Sequence, residues 1–167
     1  MAVLPPLDAQ LAAWKDFDPT IERIGLIIGE GHEDLLTDAQ LAAQKHDIEL
    51  VVQTTKSDQE TLYFFRRMIR DIDGFWLFPD NRILSSRVLQ QMLADAKRQR
   101  VSVNVPTESM LSLGAMISMS TNASDIAETI VKIVRRIQAD GLDSIPPITQ
   151  LSEIRVRTNN DRQVVQR

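Results

Sequence analysis

Two periodicities of apolar and polar residues alternate along this chain. Short runs of branched apolar residues, such as residues 23–28, predict strands buried on both faces, whereas apolar residues three and four positions apart predict amphipathic helices. The predicted strands are 22–28, 48–53, 74–78, 101–105 and 115–120, with an edge strand at 153–157. The predicted helices are 7–15, 32–45, 57–69, 85–100 and 122–141, with a short helical turn at 109–113.

This alternation of strand and helix predicts an α/β fold. We expect three αβα layers around a mostly parallel five-stranded sheet of the Rossmann or flavodoxin-like kind, because helical crossovers join parallel strands. Residues 1–20 are interpreted as an N-terminal helix and lead-in, residues 21–140 as the α/β lobe, and residues 141–167 as a crossing segment, an edge strand and a truncated last helix.

Composition narrows the class of protein. A chain of 167 residues with a formal net charge of -4 suits one globular domain, and its scattered arginines disfavour nucleic-acid binding, which needs a clustered positive surface. The absence of cysteine excludes disulfides and thiolate metal sites. The first residues lack a signal-peptide pattern, and no apolar stretch is long enough to span a bilayer, so we expect a cytosolic protein unless the chain belongs to a longer precursor.

The most distinctive turn is Gly29-Glu30-Gly31, directly after the first long strand. It matches only the first half of a dinucleotide-binding fingerprint, because Asp34 stands where the third glycine belongs. The acidic residues that open the next helix would also repel a pyrophosphate, although they suit the helix dipole. We therefore interpret the segment as a glycine turn at a ligand-binding edge rather than as a phosphate loop.

Polar residues follow three other predicted strands. These are Asp80 and Asn81 after the third strand, Thr107 and Glu108 after the fourth, and Thr121 after the fifth. Since ligands of open α/β sheets bind beyond the carboxyl ends of the strands, these side chains are candidates for a small polar ligand. Each position has a structural alternative, as a turn residue or a helix cap.

Catalytic and metal-binding patterns are not evident. His32 and His46 are the only histidines, no nucleophile elbow is present, and no known metal-ligand spacing is matched. We expect neither an enzyme nor a cofactor. The alternative is a receiver-like regulatory or protein-interaction domain, in which Glu30 and Asp80 could be the acidic residues of the phosphorylation site. Against it, the fifth strand does not end in the lysine that a receiver domain uses in phosphoryl transfer.

Several segments together resemble the ABC-transporter substrate-binding protein family that includes tryptophan- and tyrosine-type periplasmic binding proteins. The resemblance covers nearly the whole chain. Its segments are Pro-Pro-Leu-Asp-Ala-Gln-Leu at 5–11, Ile-Glu-Arg-Ile-Gly-Leu-Ile at 21–27, the strand and Pro-Asp-Asn end at 73–81, Gly-Ala-Met-Ile-Ser at 114–118, and Ile-Arg-Val-Arg-Thr-Asn at 154–159.

The resemblance implies one lobe of a two-lobed, non-enzymatic solute-binding protein, the carboxyl-terminal lobe of a type I periplasmic-binding-protein-like fold. It implies an amino-acid-like ligand, an amino-terminal lobe and an ABC permease as partners, and a periplasmic location for a longer secreted precursor. An uncovered cleft face is compatible with self-association as a homodimer or with binding of another partner. The chain departs from the family pattern at the turn 29–32, at Ala123 and Ala127, where an aromatic residue and a glycine are usual, and at Arg167, where the last helix stops.

Overall fold

The computed structural model describes residues 2–78, 84–144, 148–151 and 154–159. The strands are β1 (Ala2–Leu4), β2 (Arg23–Gly29), β3 (Glu49–Thr55), β4 (Gly74–Trp76), β5 (Ser102–Val105), β6 (Ile117–Ser120), β7 (Ile148–Gln150) and β8 (Arg155–Thr158). The α-helices are α1 (Leu7–Phe17), α2 (Glu33–Lys45), α3 (Asp58–Met68), α4 (Ser86–Gln99) and α5 (Ala123–Asp140). Short 3₁₀ helices cover Glu108–Leu113 and Leu142–Ser144.

The main sheet has the strand order β3-β2-β4-β5-β6-β8. Its first five strands are parallel, which confirms the predicted sheet, and β8 joins β6 antiparallel as the predicted edge strand. The chain passes from β2 to β3 through α2, and then returns past β2 to β4 through α3. Strand order therefore reverses direction between β2 and β4.

Each face of the sheet carries its own hydrophobic core. On one face α1 and α2 pack through residues that include Leu11, Trp14 and Ala39, each with no solvent exposure. On the other face α3 and α4 pack through residues that include Phe65 and Leu93. The branched apolar residues of β2 contribute to both cores, as expected of a central parallel strand.

A buried polar network locks α1 onto the sheet. The Gln10 side-chain oxygen accepts hydrogen bonds from Trp76 Nε1 at 3.1 Å and from Asn104 Nδ2 at 3.3 Å, and Gln10 Nε2 donates to the Pro5 carbonyl at 3.1 Å. Because unpaired buried polar groups are costly, this network fixes the position of α1 over β4 and β5.

Side-chain caps account for three of the helix starts. Ser57, Ser85 and Asn122 accept hydrogen bonds from the backbone N–H groups of Glu60, Val88 and Asp125, respectively. The Glu60 carboxylate accepts from the Lys56 backbone N–H at 2.9 Å, which makes a variant of the capping box at Ser57.

Two features differ from the sequence pattern. First, β1 and β7 form a separate two-stranded parallel sheet, which short three-residue segments beside prolines do not predict. Second, α5 carries an apolar row at helical spacing, but only Ile133 among its residues is buried. None of the helices that the structure describes is long and apolar enough to cross a membrane.

Candidate ligand-binding edge

The candidate site lies at the carboxyl edge of the parallel strands. In open α/β sheets the natural crevice forms where strand order reverses, because the flanking connections leave to opposite faces. Here that point falls between β2 and β4. The predicted residues Gly29, Glu30 and Gly31 follow β2 directly, so the fold places them beside this crevice.

The turn after β2 is open and exposes its backbone. Gly29 is buried at the end of the strand, whereas Glu30 and Gly31 are exposed. Gly31 has a φ of 83°, and a Cβ added there would meet no neighbouring atom within 4 Å. Glycine is therefore required at this position by backbone conformation rather than by crowding.

Glu30 already has a partner from the neighbouring strand end. Its Oε1 lies 3.1 Å from Nζ of Lys56, which follows β3, and the two side chains are 61% and 71% exposed. Such an exposed pair contributes little to stability, about 0 to 1 kcal/mol. The carboxylate and the ammonium therefore remain available to a bound polar solute. Sequence reasoning missed Lys56, although its position directly after a strand was a usable signal.

Glu108 is similarly engaged at the far side of the edge. Its Oε1 lies 3.4 Å from Nε of Arg155 and 3.4 Å from Nε of Arg157, both on β8. Thr107 precedes it at the start of the 3₁₀ helix, with its hydroxyl 3.1 Å from that of Ser109. Charged side chains thus line this end of the site, where two arginines of the edge strand β8 contact the predicted residue Glu108.

Thr121 lies after β6 and immediately before the cap of α5. It is half-buried, and the side chain of its neighbour Asn122 is used by the helix, since Oδ1 accepts from the Asp125 backbone N–H at 2.7 Å. The remaining predicted residues, Asp80 and Asn81, lie outside the described residues. Ahead of them, the rings of Trp76 and Phe78 pack edge to face at 4.8 Å, which rigidifies the end of β4.

The described part of this edge suits recognition of a small polar molecule. It presents an exposed backbone turn, hydroxyl groups and charges of both signs on neighbouring strand ends. Within the described residues there is no group of three His, Asp or Glu side chains placed to hold a metal ion.

This three-layer α/β lobe, with its polar edge at the strand-reversal point, has a periplasmic-binding-protein-like fold. The family of ABC transporter substrate binding proteins matches residues 4–153, and this chain belongs to that family. None of the curated proteins compared with the chain matches it.

Solved structures with the same fold share little sequence with this chain. A conserved domain protein from Vibrio cholerae O1 biovar El Tor is 18% identical, with a TM-score of 0.69, over 93% of this chain and 53% of that one. The ABC domain in complex with L-Trp from Streptococcus pneumoniae is 15% identical, with a TM-score of 0.69, over 92% and 54%.

A third similar structure is the ligand-free, open form of a substrate binding protein with adhesive properties from Clostridium difficile. It is 17% identical, with a TM-score of 0.64, over 92% of this chain and 52% of that one. The chain thus spans about half the length of these proteins.

Proposed function

We propose that this chain is the carboxyl-terminal solute-binding lobe of a periplasmic ABC-transporter substrate-binding protein. Its role is binding rather than catalysis, and its ligand is a small amino-acid-like solute. Family membership and the match to only about half the length of the similar solved structures support the proposal. The observation that carries it is the turn at the strand-reversal point, where Glu30 and Gly31 are exposed and Lys56 from the neighbouring strand end lies 3.1 Å from Glu30.

The charges at the edge suit a zwitterion. The Glu30–Lys56 pair offers one charge of each sign, and Glu108 with Arg155 and Arg157 offers a second such group. An amino acid presents an ammonium and a carboxylate to match them. We propose that Gly29, Gly31, Thr107, Thr121, Asp80 and Asn81 complete one wall of the cleft. The opposite wall is an amino-terminal lobe, and the transport partner is an ABC permease.

A thermal-shift screen tests the ligand class. Small-molecule sites normally bury most of the ligand, so one wall alone should bind weakly, and ligand must be present at millimolar concentration. We expect an amino acid to raise the melting temperature of the wild type and of D140A, a control at an exposed acid, but not of D80A. A stabilising nucleotide, or an equal shift in D80A and D140A, would contradict this assignment.

The alternative of a receiver-like regulatory domain has a separate test. That reading requires a stable phosphoryl group on Asp80, whereas the solute-binding proposal requires none. Incubation with acetyl phosphate and magnesium, followed by intact-mass measurement, should leave the mass unchanged. An added phosphoryl mass that is absent in D80A would favour the regulatory function.

We also propose that the chain self-associates through α5. Ile130, Val131 and Val134 are 47%, 48% and 46% exposed on adjoining faces of this helix. Along the same flank, acidic Glu128 precedes basic Arg135. An antiparallel, two-fold pairing of α5 with a second copy would bring Glu128 of each helix toward Arg135 of the other.

Sedimentation velocity over a concentration series measures this association. We expect the wild type to shift from monomer to dimer, and I130E/V134E to stay monomeric because two charges interrupt the apolar face. The variant K132E is the control, since Lys132 lies away from that face. A wild type that remains monomeric throughout, or equal dimerisation of I130E/V134E, would refute the dimer.

A further inference from the structure

A second polar site lies on the opposite edge of the lobe. Helices α3 and α4 both run from the carboxyl edge of the sheet back to its amino edge, so their last turns lie together there. Two adjoining clefts of about 510 and 250 Å³ occupy this region, and Arg66, Asp95 and Arg98 line both of them. Lys97 lines the larger cleft and Arg70 the smaller one.

A single buried carboxylate organises the two shared arginines. Asp95 is only 7% exposed, and its Oδ2 accepts from Arg66 Nε at 2.8 Å while Oδ1 accepts from an Nη group of Arg98. Burial alone would raise the pKa of Asp95, but the hydrogen bonds from Arg66 and Arg98 outweigh it and hold the pKa below its usual range. The carboxylate is therefore ionised and fixes both guanidinium groups.

The helix dipole accounts for the basic residues of this arrangement but not for Asp95. Basic residues at the carboxyl ends of helices are favourable, but an acid in the last turns of α4 is on the wrong end of the dipole. Asp95 is best explained as the group that holds Arg66 and Arg98 together. Each arginine has five N–H donors and uses one on Asp95, so most of its donors remain for another acceptor.

The clefts carry an excess of positive charge. Arg66, Arg70, Lys97 and Arg98 supply four cations against the single carboxylate of Asp95. The side chains of Arg70 and Lys97 form no hydrogen bond or ion pair with any residue that the structure describes. The clefts are therefore locally positive in a chain whose formal net charge is -4. Arginines that are scattered in sequence thus converge in the fold.

We propose that these clefts form a binding site for a phosphate-type oxyanion, distinct from the solute edge. Planar guanidinium groups bind phosphate oxygens through paired hydrogen bonds, and the nearby ammonium adds a point charge. The two clefts together are large enough for a diphosphate or a phospholipid headgroup. The clefts lie at the amino edge of the sheet, whereas Gly29 lies at the carboxyl edge, so an anion bound here would not block the proposed solute site.

The test uses inorganic pyrophosphate and variants of the full chain. In calorimetric titrations at low ionic strength, wild-type chain should bind pyrophosphate saturably, and added salt should weaken the binding. R70Q/K97Q should bind at least about tenfold more weakly, since it removes two of the four cations. Neither residue holds Asp95, so the melting temperature should stay unchanged. K132Q/R136Q removes the same charge from the side of α5 away from its apolar face, where both residues are exposed, and should bind like the wild type.

A second arm identifies the source of the anion. Co-sedimentation with phosphatidylglycerol vesicles, lost in R70Q/K97Q and retained in K132Q/R136Q, would assign the site to a lipid headgroup. Pyrophosphate binding without vesicle binding would assign it to a soluble phosphate compound. The proposal fails if neither ligand binds saturably, or if K132Q/R136Q weakens binding as much as R70Q/K97Q does.

Discussion

Replacement of Trp76 by alanine is expected to cause the largest loss of stability in this chain. Trp76 is 1% exposed, and it packs against Phe78 while donating to Gln10. Truncation of a buried Trp to Ala costs about 3 to 5 kcal/mol, because contacts are lost and a cavity remains. Loss of the hydrogen bond to Gln10 adds about 1 kcal/mol.

Urea unfolding followed by circular dichroism measures this effect. Since domains of this size are stable by only about 5 to 15 kcal/mol, W76A should lose at least about a third of the free energy of unfolding, and its urea midpoint should fall accordingly. Y63A is the matched control, because Tyr63 is an aromatic residue that is 56% exposed, and its loss should cost no more than about 0.5 kcal/mol. Similar losses in W76A and Y63A would refute the buried position of Trp76.

A single methyl group at Gly74 is expected to have the second largest effect on stability. A Cβ there would lie 2.7 Å from Cζ2 of Trp14 and 2.6 Å from Cδ1 of Ile21. The Ile21 methyl can rotate, but the rigid indole of the fully buried Trp14 cannot yield without moving α1. Overpacking of this kind costs about 1 to 3 kcal/mol, which exceeds the gain of about 0.4 to 1 kcal/mol from replacing glycine in the unfolded chain.

The same substitution at Gly25 provides the comparison. A Cβ at Gly25 would first meet Sδ of Met68 at 2.7 Å and Cδ1 of Ile72 at 2.8 Å, both ends of flexible side chains. We therefore expect G74A to lower the urea midpoint more than G25A does. The opposite order would contradict the close approach of α1 to β4.

The main sheet could be predicted from sequence because its strands carry strong local signals. Residues 23–28 are mostly apolar, and short polar residues that can cap a helix precede three of the helices, although only the structure selects Ser57, Ser85 and Asn122 as the caps. These signals act over a few neighbouring residues. The pairing of β1 with β7 could not be predicted, since it joins three-residue segments from opposite ends of the chain.

For the candidate sites, too, only the features that depend on neighbouring residues in sequence could be predicted. Gly29–Gly31 could be identified because a glycine turn after a buried strand is a local pattern. In contrast, the Lys56–Glu30 pair and the Asp95 arginine cluster depend on which strand and helix ends become neighbours. The exposure of the apolar face of α5 could not be predicted from sequence either, because helical spacing reveals an apolar row but not whether another element covers it.

The most direct test of the solute-binding proposal is an amide NMR titration of this chain with the amino acid that gives the largest thermal shift. The proposal predicts weak, millimolar binding, with chemical-shift changes confined to the carboxyl edge, including Gly29, Gly31, Thr107 and Thr121. Changes centred on another surface would contradict this placement of the site. Submicromolar affinity would contradict the two-lobe account, because one wall should not by itself enclose the ligand.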